Sequence, residues 1–329
     1  MKAVLLRRFG GPDVLEVVEV PKPSLNPGEV LIRVKAAGVN YFETLMREGR
    51  YGFSPTLPII AGVEVAGVVE EASGDARVSV GSRVAVPLFA IGATGGYAQF
   101  IAVDSQQTYP VPDDVAFEEA AALMVQGLTA LHAVRRADPA HKKILVLAAA
   151  GGVGSLVVQL ARRRGARKII AAAGSERKLD VARALGADAG VIYSGAGWGA
   201  AVEAAADGEQ VDIVYDFVGG GFSSEYLPAL APQGELLFGA VGRADVDYRA
   251  LNVMIEQNQS LKGIALIPLL TPENLKADLA TLFALSAADE LKTQVGARYA
   301  LDEIAAAHRA IGTRATIGKV ILLPAQDRK

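Results

Sequence analysis

The spacing of apolar residues along the chain changes its period near Phe117. Between Leu15 and about Val103, short apolar runs alternate with polar positions, as in Val30–Ala36, and Pro and Gly separate these runs. After Lys142, short apolar runs alternate with segments of helical period. The first pattern predicts a compact β-rich domain. The second predicts an α/β domain of parallel strands joined by helices.

The second half of the chain predicts a doubly wound parallel sheet of the Rossmann type. Its predicted strands lie near Ile144–Ala149, Ile169–Ala173, Val191–Tyr193, Ile213–Phe217, Leu236–Gly239 and Leu261–Leu266, and the helices between them include Ser175–Leu185, Ala200–Ala206 and Phe222–Leu230. After Pro272, two further helices and the strands Val295–Ala300 and Lys319–Leu323 are predicted. We expect this tail to return to the first domain. The predicted domains are therefore a discontinuous β-rich domain (residues 1–120 and 268–329) and a Rossmann domain (residues 121–267).

The segment Lys142–Ala161 carries the clearest motif, KKILVLAAAGGVGSLVVQLA. A short apolar run leads into a small-residue turn and then into an amphipathic helix. Ala149, Gly151 and Gly154 occupy the three glycine places of G-x-G-x-x-G. A small residue at each place permits a tight turn, approach of backbone N–H groups to a pyrophosphate, and packing of the helix on the strand. The pattern predicts dinucleotide binding, with the phosphates at the positive end of the helix.

The end of the next predicted strand indicates which dinucleotide is bound. Gly174 and Ser175 follow this strand, and the cations Arg177 and Lys178 come next. An NAD-binding unit is expected to place Asp or Glu at the strand end to hold the ribose 2′-hydroxyl, and none precedes the following helix. Small and cationic residues suit a 2′-phosphate instead, which favours NADPH. The alternative is that both cations are only exposed helix residues.

Composition and charge exclude several classes of protein. The chain has 329 residues, a formal net charge of −3, three histidines and no cysteine. Disulfides, thiolate catalysis and cysteine-ligated zinc are thereby excluded, and the histidines have no metal-binding spacing, so we expect no metal. No basic run points to nucleic acid. No segment has the length of a membrane span or of a signal peptide, so we expect a cytoplasmic protein without a membrane partner.

An ordered set of motifs resembles the zinc-independent quinone oxidoreductases, the zeta-crystallin-like branch of the medium-chain dehydrogenases/reductases. The resemblance runs almost end to end. The motifs are Ala36–Asn40, Gly62–Gly67, Gly95–Ala98, Gly127–Ala130, Ala149–Gly154, Ala184–Asp188, Asp216–Gly219 and Gly318–Val320. The resemblance implies a GroES-like β domain plus a Rossmann domain, with NADPH and substrate between them. It also implies a homodimer formed through the edge of the Rossmann sheet, here Leu261–Leu270.

The resemblance also assigns roles to individual residues. Tyr51 resembles a proton donor or substrate clamp of the enoyl-thioester reductase branch, and Asn40 an asparagine that lines the nicotinamide side. These two are the candidate catalytic residues. The candidate cofactor-binding residues are Asn40, Thr129, Gly151, Gly152, Val153, Gly154, Gly174, Ser175, Lys178, Tyr193, Val218, Phe238, Gly239, Ala240, Leu266 and Lys319.

Departures from the family pattern bear on metal and substrate. Zinc-dependent relatives have Cys where this chain has Asn40 and Gly-His-Glu where it has Gly62-Val63-Glu64, which agrees with the absence of a predicted zinc site. Glu64 is expected to be a buried structural carboxylate. The family's Asn-Pro-x-Asp reads Asn40-Tyr41-Phe42-Glu43, which places two aromatic residues near the expected substrate.

The expected reaction is hydride transfer from NADPH to a quinone, an enone or an enoyl thioester, because conjugation activates these electrophiles without a Lewis acid. Tyr51 is either a proton donor to the product oxygen or an aromatic packing residue. Two alternatives stay open. One is an enoyl-thioester or alkenal reductase, and the other is an NADPH-binding protein with a structural or regulatory role.

Overall fold

A computed structural model of the chain describes residues 1–52 and 55–324. The strands are β1 (Lys2–Leu6), β2 (Leu15–Glu19), β3 (Glu29–Val39), β4 (Ile59–Ile60), β5 (Val65–Ala72), β6 (Arg83–Val86), β7 (Phe100–Asp104), β8 (Tyr109–Pro110), β9 (Lys143–Leu147), β10 (Lys168–Ala173), β11 (Ala189–Ile192), β12 (Val211–Asp216), β13 (Leu230–Phe238), β14 (Ser260–Gly263), β15 (Val295–Ala300) and β16 (Lys319–Leu323).

The helices follow in the same chain order. They are α1 (Tyr41–Arg47), α2 (Phe117–Ala122), α3 (Leu128–Arg136), α4 (Gly152–Arg163), α5 (Glu176–Ala184), α6 (Trp198–Ala205), α7 (Ser223–Tyr226), α8 (Tyr248–Glu256), α9 (Pro272–Ala287) and α10 (Ile304–Gly312). A π-helical turn, Leu123–Gly127, joins α2 to α3. The chain divides into two compact units, of which unit 1 comprises residues 1–128 and 270–329 and unit 2 residues 129–269. The two divisions lie eight and two residues after those predicted from the sequence.

Unit 1 is built on a mainly antiparallel sheet in the order β15-β16-β3-β5-β6-β8, with β7 also paired to β3. A smaller sheet has the order β2-β1-β4. The long strand β3 is buried over most of its length, since it pairs with β5, β7 and β16. Its apolar side chains therefore form the centre of the core. The C-terminal strand β16 completes this sheet, as expected from the sequence.

Unit 2 is a parallel sheet in the order β11-β10-β9-β12-β13-β14 with helices between successive strands. This is the strand order of the dinucleotide-binding Rossmann fold, which reverses direction between β9 and β12. The central strand β9 is buried throughout, which explains its uninterrupted apolar sequence. Since all the strands are parallel, the loops that follow their carboxyl ends lie along one edge of the sheet.

The sequence did not predict helices α1 and α8. Asn40 and Glu43 form a capping box at the start of α1, and the Asp247 side chain accepts a hydrogen bond from the Ala250 N–H at the start of α8. These capping patterns are visible in the sequence and were the available signal. The effect of α1 is to hold its first residues against the core of unit 1, where a loop had been expected.

Candidate functional site

The turn between β9 and α4 is shaped by contacts around one carbonyl oxygen. Ala148 has a φ of 49°, and its oxygen accepts a hydrogen bond from the Gly151 N–H at 2.7 Å. A Cβ on Gly154 would lie 2.3 Å from that oxygen, whereas a Cβ on Gly151 would lie 3.0 Å from it. Gly154 is therefore needed for the close approach of α4 to the end of β9.

The first turn of α4 has the properties of an anion-binding site. Gly151 is the N-cap, and no side chain caps the helix. The first backbone N–H groups of a helix have no intrahelical partner and carry partial positive charge, and here Gly152 and Val153 supply them on partly exposed backbone. The cradle that a Cβ would fill and the uncapped helix end together fit a pyrophosphate.

The carboxyl end of β10 continues into α5 without a carboxylate directed at the strand end. Ser175 is the N-cap residue of α5, and its carbonyl oxygen accepts from the Lys178 N–H at 3.1 Å. The Glu176 carboxylate is instead paired with Arg183 at 2.5 Å, further along the same helix. Gly174 and Ser175 are exposed, and Lys178 is half-buried. These residues fit a phosphate better than a ribose hydroxyl.

Tyr193 lies beside this strand end in a cluster of aromatic rings. Its backbone N–H donates to the Ala173 oxygen at 3.0 Å, and a Cβ on Gly174 would lie 3.6 Å from the Tyr193 ring. The ring centroids of Tyr193 and Phe222 are 4.9 Å apart, and those of Tyr193 and Trp198 are 6.2 Å apart. The structure thus brings three predicted cofactor residues together, namely Gly174, Ser175 and Tyr193.

Asp216, at the end of β12, organises a third loop. Its buried carboxylate accepts from the N–H groups of Val218 and Gly219 at 2.7 and 2.9 Å, and from the Tyr226 hydroxyl at 2.8 Å. Burial raises the pKa of Asp216 despite these donors. The backbone of the predicted cofactor residue Val218 is therefore held by a side chain that the sequence analysis did not identify as a functional residue.

The loops after β13 and β14 lie along the same edge of unit 2. The Gly239 N–H donates to the Asp216 carbonyl oxygen at 2.8 Å, and the Ile264 N–H donates to the Phe238 oxygen at 3.0 Å. A Cβ on Gly239 would lie 2.6 Å from the Phe217 ring, so this position also needs glycine. Ala240 is buried and Leu266 half-buried, and Thr129 occupies the first turn of α3 in the same unit.

In unit 1, Asn40 is the centre of a buried polar cluster. Its amide nitrogen donates to Glu43 Oε2 at 3.0 Å and to Glu64 Oε1 at 2.8 Å, and its amide oxygen accepts from Lys319 Nζ at 2.7 Å. The Asn40 backbone N–H also donates to Glu43 Oε2, at 2.9 Å. The Asn40 side chain is therefore held by partners within unit 1, and its predicted contact with the cofactor stays a prediction.

Lys319 is placed differently from its expected role. Only 1% of the residue is exposed, and its ammonium donates to Asn40 and Glu64. We therefore replace the predicted cofactor contact of Lys319 by a structural role inside the cluster. The sequence could not distinguish the two roles, because the partners of Lys319 lie 255 and 279 residues earlier in the chain.

Glu64 connects this cluster to the π-helical turn. It is fully buried, as expected from the sequence, and its Oε2 atom accepts from the Val125 N–H at 2.8 Å. A π-helical turn inserts a residue into the helix ladder and releases backbone groups from it, and such turns are frequent at functional sites. The contact fixes the segment that leads into Thr129.

The cluster contains two carboxyl groups but one lysine. Burial, and next the charge of Glu64, raise the pKa of Glu43 from 4.5 to about 7. The hydrogen bonds from Asn40 and the charge of Lys319 act in the opposite direction but are smaller. Glu43 therefore exchanges a proton near neutral pH. The sequence showed Glu43 only as a departure from the family motif.

Tyr51 follows α1 and is half-buried. Its ring centroid lies 5.3 Å from that of Phe42, with the planes tilted by 34°. Burial raises the pKa of Tyr51 above its ordinary value of 10. The phenol is therefore protonated at neutral pH and is a hydrogen-bond donor rather than a strong acid.

Residues 1–52 and 55–324 contain no group of three or more His, Cys, Asp or Glu side chains arranged to hold a metal ion. Within the same ranges, no helix combines the length and apolar character needed to cross a bilayer.

Comparisons with known proteins match the whole chain. Residues 26–113 match the model of the alcohol dehydrogenase GroES-like domain, and residues 152–284 match that of the zinc-binding dehydrogenase. The chain is 34% identical to a quinone oxidoreductase from Pseudomonas aeruginosa, covering 98% of this chain and 99% of that protein. The protein belongs to the zinc-independent quinone oxidoreductase family. Its resemblance to that family, predicted from the sequence, is thereby confirmed.

Two further relatives of this quinone oxidoreductase family member bear on cofactor and substrate. The crystal structure of Escherichia coli quinone oxidoreductase complexed with NADPH is similar with a TM-score of 0.88 and 28% identity, covering 98% of this chain and all of that one. A 2-haloacrylate reductase from a Burkholderia species is 33% identical, with 98% of each chain covered. The α/β fold with a GroES-like domain is likewise confirmed.

Proposed function

We propose that this protein is an NADPH-dependent oxidoreductase that transfers hydride to quinones and other conjugated carbonyl compounds. The observation that carries the proposal is the β9–α4 turn, whose glycines and uncapped helix end fit a pyrophosphate, in a chain whose relatives are quinone oxidoreductases. The cofactor is NADPH, which agrees with the NADPH complex of the Escherichia coli enzyme.

The residues proposed to hold the cofactor lie at the carboxyl edge of the unit 2 sheet. Gly151–Gly154 bind the pyrophosphate through backbone N–H groups, and Ser175 and Lys178 hold the 2′-phosphate beside Tyr193. The Glu176 carboxylate, which would repel a 2′-phosphate, is neutralised by Arg183. The turn at Val218, fixed by Asp216, and the loop at Gly239 supply backbone surface on the nicotinamide side.

The reduced nicotinamide supplies a hydride when bound, and the protein must position an electrophile and stabilise negative charge on its oxygen. Tyr51 is the candidate donor to that oxygen. Its raised pKa favours a hydrogen bond over complete proton transfer. A quinone needs only such a hydrogen bond, because the reduced oxygen takes its proton from water.

A specific observation favours a second candidate, reduction of a carbon–carbon double bond conjugated to a carboxyl group or thioester. A relative with near-complete coverage is a 2-haloacrylate reductase. Hydride addition to such a substrate creates an enolate, which needs a positioned proton donor more than a quinone does. Tyr51 would then contribute more to turnover.

The test follows NADPH oxidation by absorbance with quinones, enones, 2-haloacrylates and enoyl thioesters, and compares NADH at equal concentration. Quinone turnover with a preference for NADPH is the expected result. In Tyr51→Phe, a small loss of kcat with quinones supports the first candidate, whereas a loss of 10²-fold or more with acrylates only supports the second. Tight NADPH binding with no turnover of any electrophile would favour a structural or regulatory role.

The proposed assembly is a homodimer formed at the β14 edge of unit 2. This strand ends the sheet, pairing with β13 among the described strands. Apolar side chains on and near it are exposed, notably Tyr248 (77%), Ile255 (73%) and Leu261 (47%). Pairing of β14 with a second copy would bury them. Light scattering of the wild type and of Ile255→Lys tests this, with a dimer expected for the first and a monomer for the second.

A further inference from the structure

A cavity of about 330 Å³, part of it open to solvent, lies within unit 1 on one side of α1. The residues lining it include Glu43, Arg47, Tyr97 and His308, and partly exposed residues such as Pro55 and Thr94. The cavity therefore leads from the surface to the buried Glu43 carboxyl group.

Two polar atoms at this cavity have no protein partner among the described residues, namely Tyr97 Oη and His308 Nε2. Tyr97 is fully buried and His308 is 2% exposed. Since the Arg47 guanidinium only donates and lies 3.2 Å from His308 Nδ1, the imidazole proton is on Nε2. Buried hydroxyl and imidazole groups are normally hydrogen-bonded, and a polar cavity of this size supplies water as their partner.

The other side of Glu43 faces Asn40. The Glu43 and Glu64 carboxylates share a single amide nitrogen of Asn40, while Lys319 holds the amide oxygen. With both carboxylates charged, the cluster has one negative charge in excess and the Asn40 amide is fixed from both sides. A proton on Glu43 removes that charge and weakens the acceptor.

We propose that Glu43 is a positioning residue that exchanges a proton with water in this cavity and thereby controls how firmly the Asn40 amide is held. The proposal rests on the proposed function, in which Asn40 contributes to the active site. The ionised form holds Asn40 in place and is the more active form. The proton passes between cavity water and the Glu43 carboxylate, and no other bond changes.

The charged and titratable groups around Glu43 are consistent with this behaviour. Glu64 and Lys319 face it from β5 and β16, Tyr97 from the loop before β7, and His308 and Arg47 from α10 and α1. Burial lowers the pKa of His308 to about 3, with the Arg47 charge acting in the same direction, so the imidazole is neutral near neutral pH. Burial first, and then the Glu43 charge, keeps Tyr97 protonated. Near pH 7, Glu43 is therefore the group in this set that changes charge.

The first experiment measures the pH profile of kcat and KM for quinone reduction in wild type and Glu43→Gln. Glutamine keeps an oxygen that accepts from Asn40 but cannot ionise. We expect wild-type kcat to rise several-fold through a single ionisation near pH 7, with KM for NADPH unchanged, and Glu43→Gln to show no such rise. The control is Glu71→Gln, whose carboxylate pairs with Lys22 at the surface and should leave the profile unchanged.

The second measurement does not depend on turnover. The Asn40 side-chain amide resonances of ¹⁵N-labelled wild type are followed from pH 5 to 9. A shift with a midpoint near 7, absent in Glu43→Gln, is expected. An Asn40 resonance that does not titrate overturns the proposal, as does a wild-type pH profile retained in Glu43→Gln. If no electrophile is turned over but Asn40 titrates as described, the proposed function fails while Glu43 still controls Asn40.

Discussion

The Lys319 ammonium lies 2.7 Å from the amide oxygen of Asn40, a residue 279 positions earlier in the chain. This contact joins the C-terminal strand β16 to the N-cap of α1. The same ammonium pairs with the fully buried Glu64. A single cation thus ties three separate segments of unit 1 together, and its removal leaves a buried carboxylate unpaired.

We therefore expect Lys319→Met to lower the free energy of unfolding by about 3–5 kcal/mol, the usual cost of an uncompensated buried charge. Urea denaturation measures this loss. Lys22→Met is the matched control, because its ion pair with Glu71 is at the surface and should contribute at most about 1 kcal/mol. Glu64→Gln added to Lys319→Met should restore part of the lost stability, and no recovery would argue against the unpaired charge as the cause.

Glu43 gives folding stability a dependence on pH. Its pKa is about 7 in the folded protein and 4.5 in the unfolded chain, so the folded state binds more protons between these values. Stability is then greatest at low pH within this window and falls as pH rises from about 4.5 to 7, by about 3 kcal/mol in total. Glu43→Gln should remove this fall. Denaturation at pH 5 and pH 8 measures it, with Glu71→Gln expected to behave as the wild type.

His308 acts with the opposite sign. Its pKa is lowered from 6.5 to about 3 by burial, with the Arg47 charge as a second cause, so the unfolded chain binds the extra proton between these values. Its contribution to stability is fully present above pH 6.5 and is lost as the pH falls toward 3. His308→Gln should therefore lose less stability than the wild type between pH 6.5 and pH 4. A wild-type slope retained in this variant would assign the acid sensitivity to other groups.

The contact distances at the β9–α4 turn predict graded effects of two alanine substitutions. Gly154→Ala places a Cβ 2.3 Å from the Ala148 oxygen and must displace α4, so the Kd for NADPH should rise at least tenfold. Gly151→Ala, at 3.0 Å, should have a smaller effect. Gly312→Ala, where a Cβ meets no atom within 4 Å, is the control. Fluorescence titration with NADPH gives the order, and equal effects at Gly154 and Gly312 would contradict the argument.

The sequence predicted the fold well where a local pattern reports the structure. The Rossmann unit has a uniform strand–helix period, and its six predicted strands all occur, in the order that the glycine turn implies. The helix α1 was missed because two aromatic residues in its first turn masked the capping box formed by Asn40 and Glu43.

The polar clusters could be predicted only in part. Asn40, Glu64 and Lys319 were each noticed, but their mutual contacts join residues far apart in sequence, and no local pattern encodes them. The same holds for Asp216, whose carboxylate holds a turn two residues away while its other partner, Tyr226, lies in the next helix. A sequence motif locates such residues, but the packing of the elements decides what each side chain contacts.

The choice between NADPH and NADH gives a final prediction at the end of β10. Lys178→Ala should raise KM for NADPH about tenfold or more and leave KM for NADH unchanged, because a charged hydrogen bond to a 2′-phosphate is absent with NADH. Arg183→Ala should act in the same direction by a different cause, since it releases the Glu176 carboxylate near the 2′-phosphate. Steady-state kinetics with both cofactors measures the effect, and Lys276→Ala, on α9 of unit 1, is the control. Equal changes in KM for NADPH and NADH would place Lys178 outside the 2′-phosphate site.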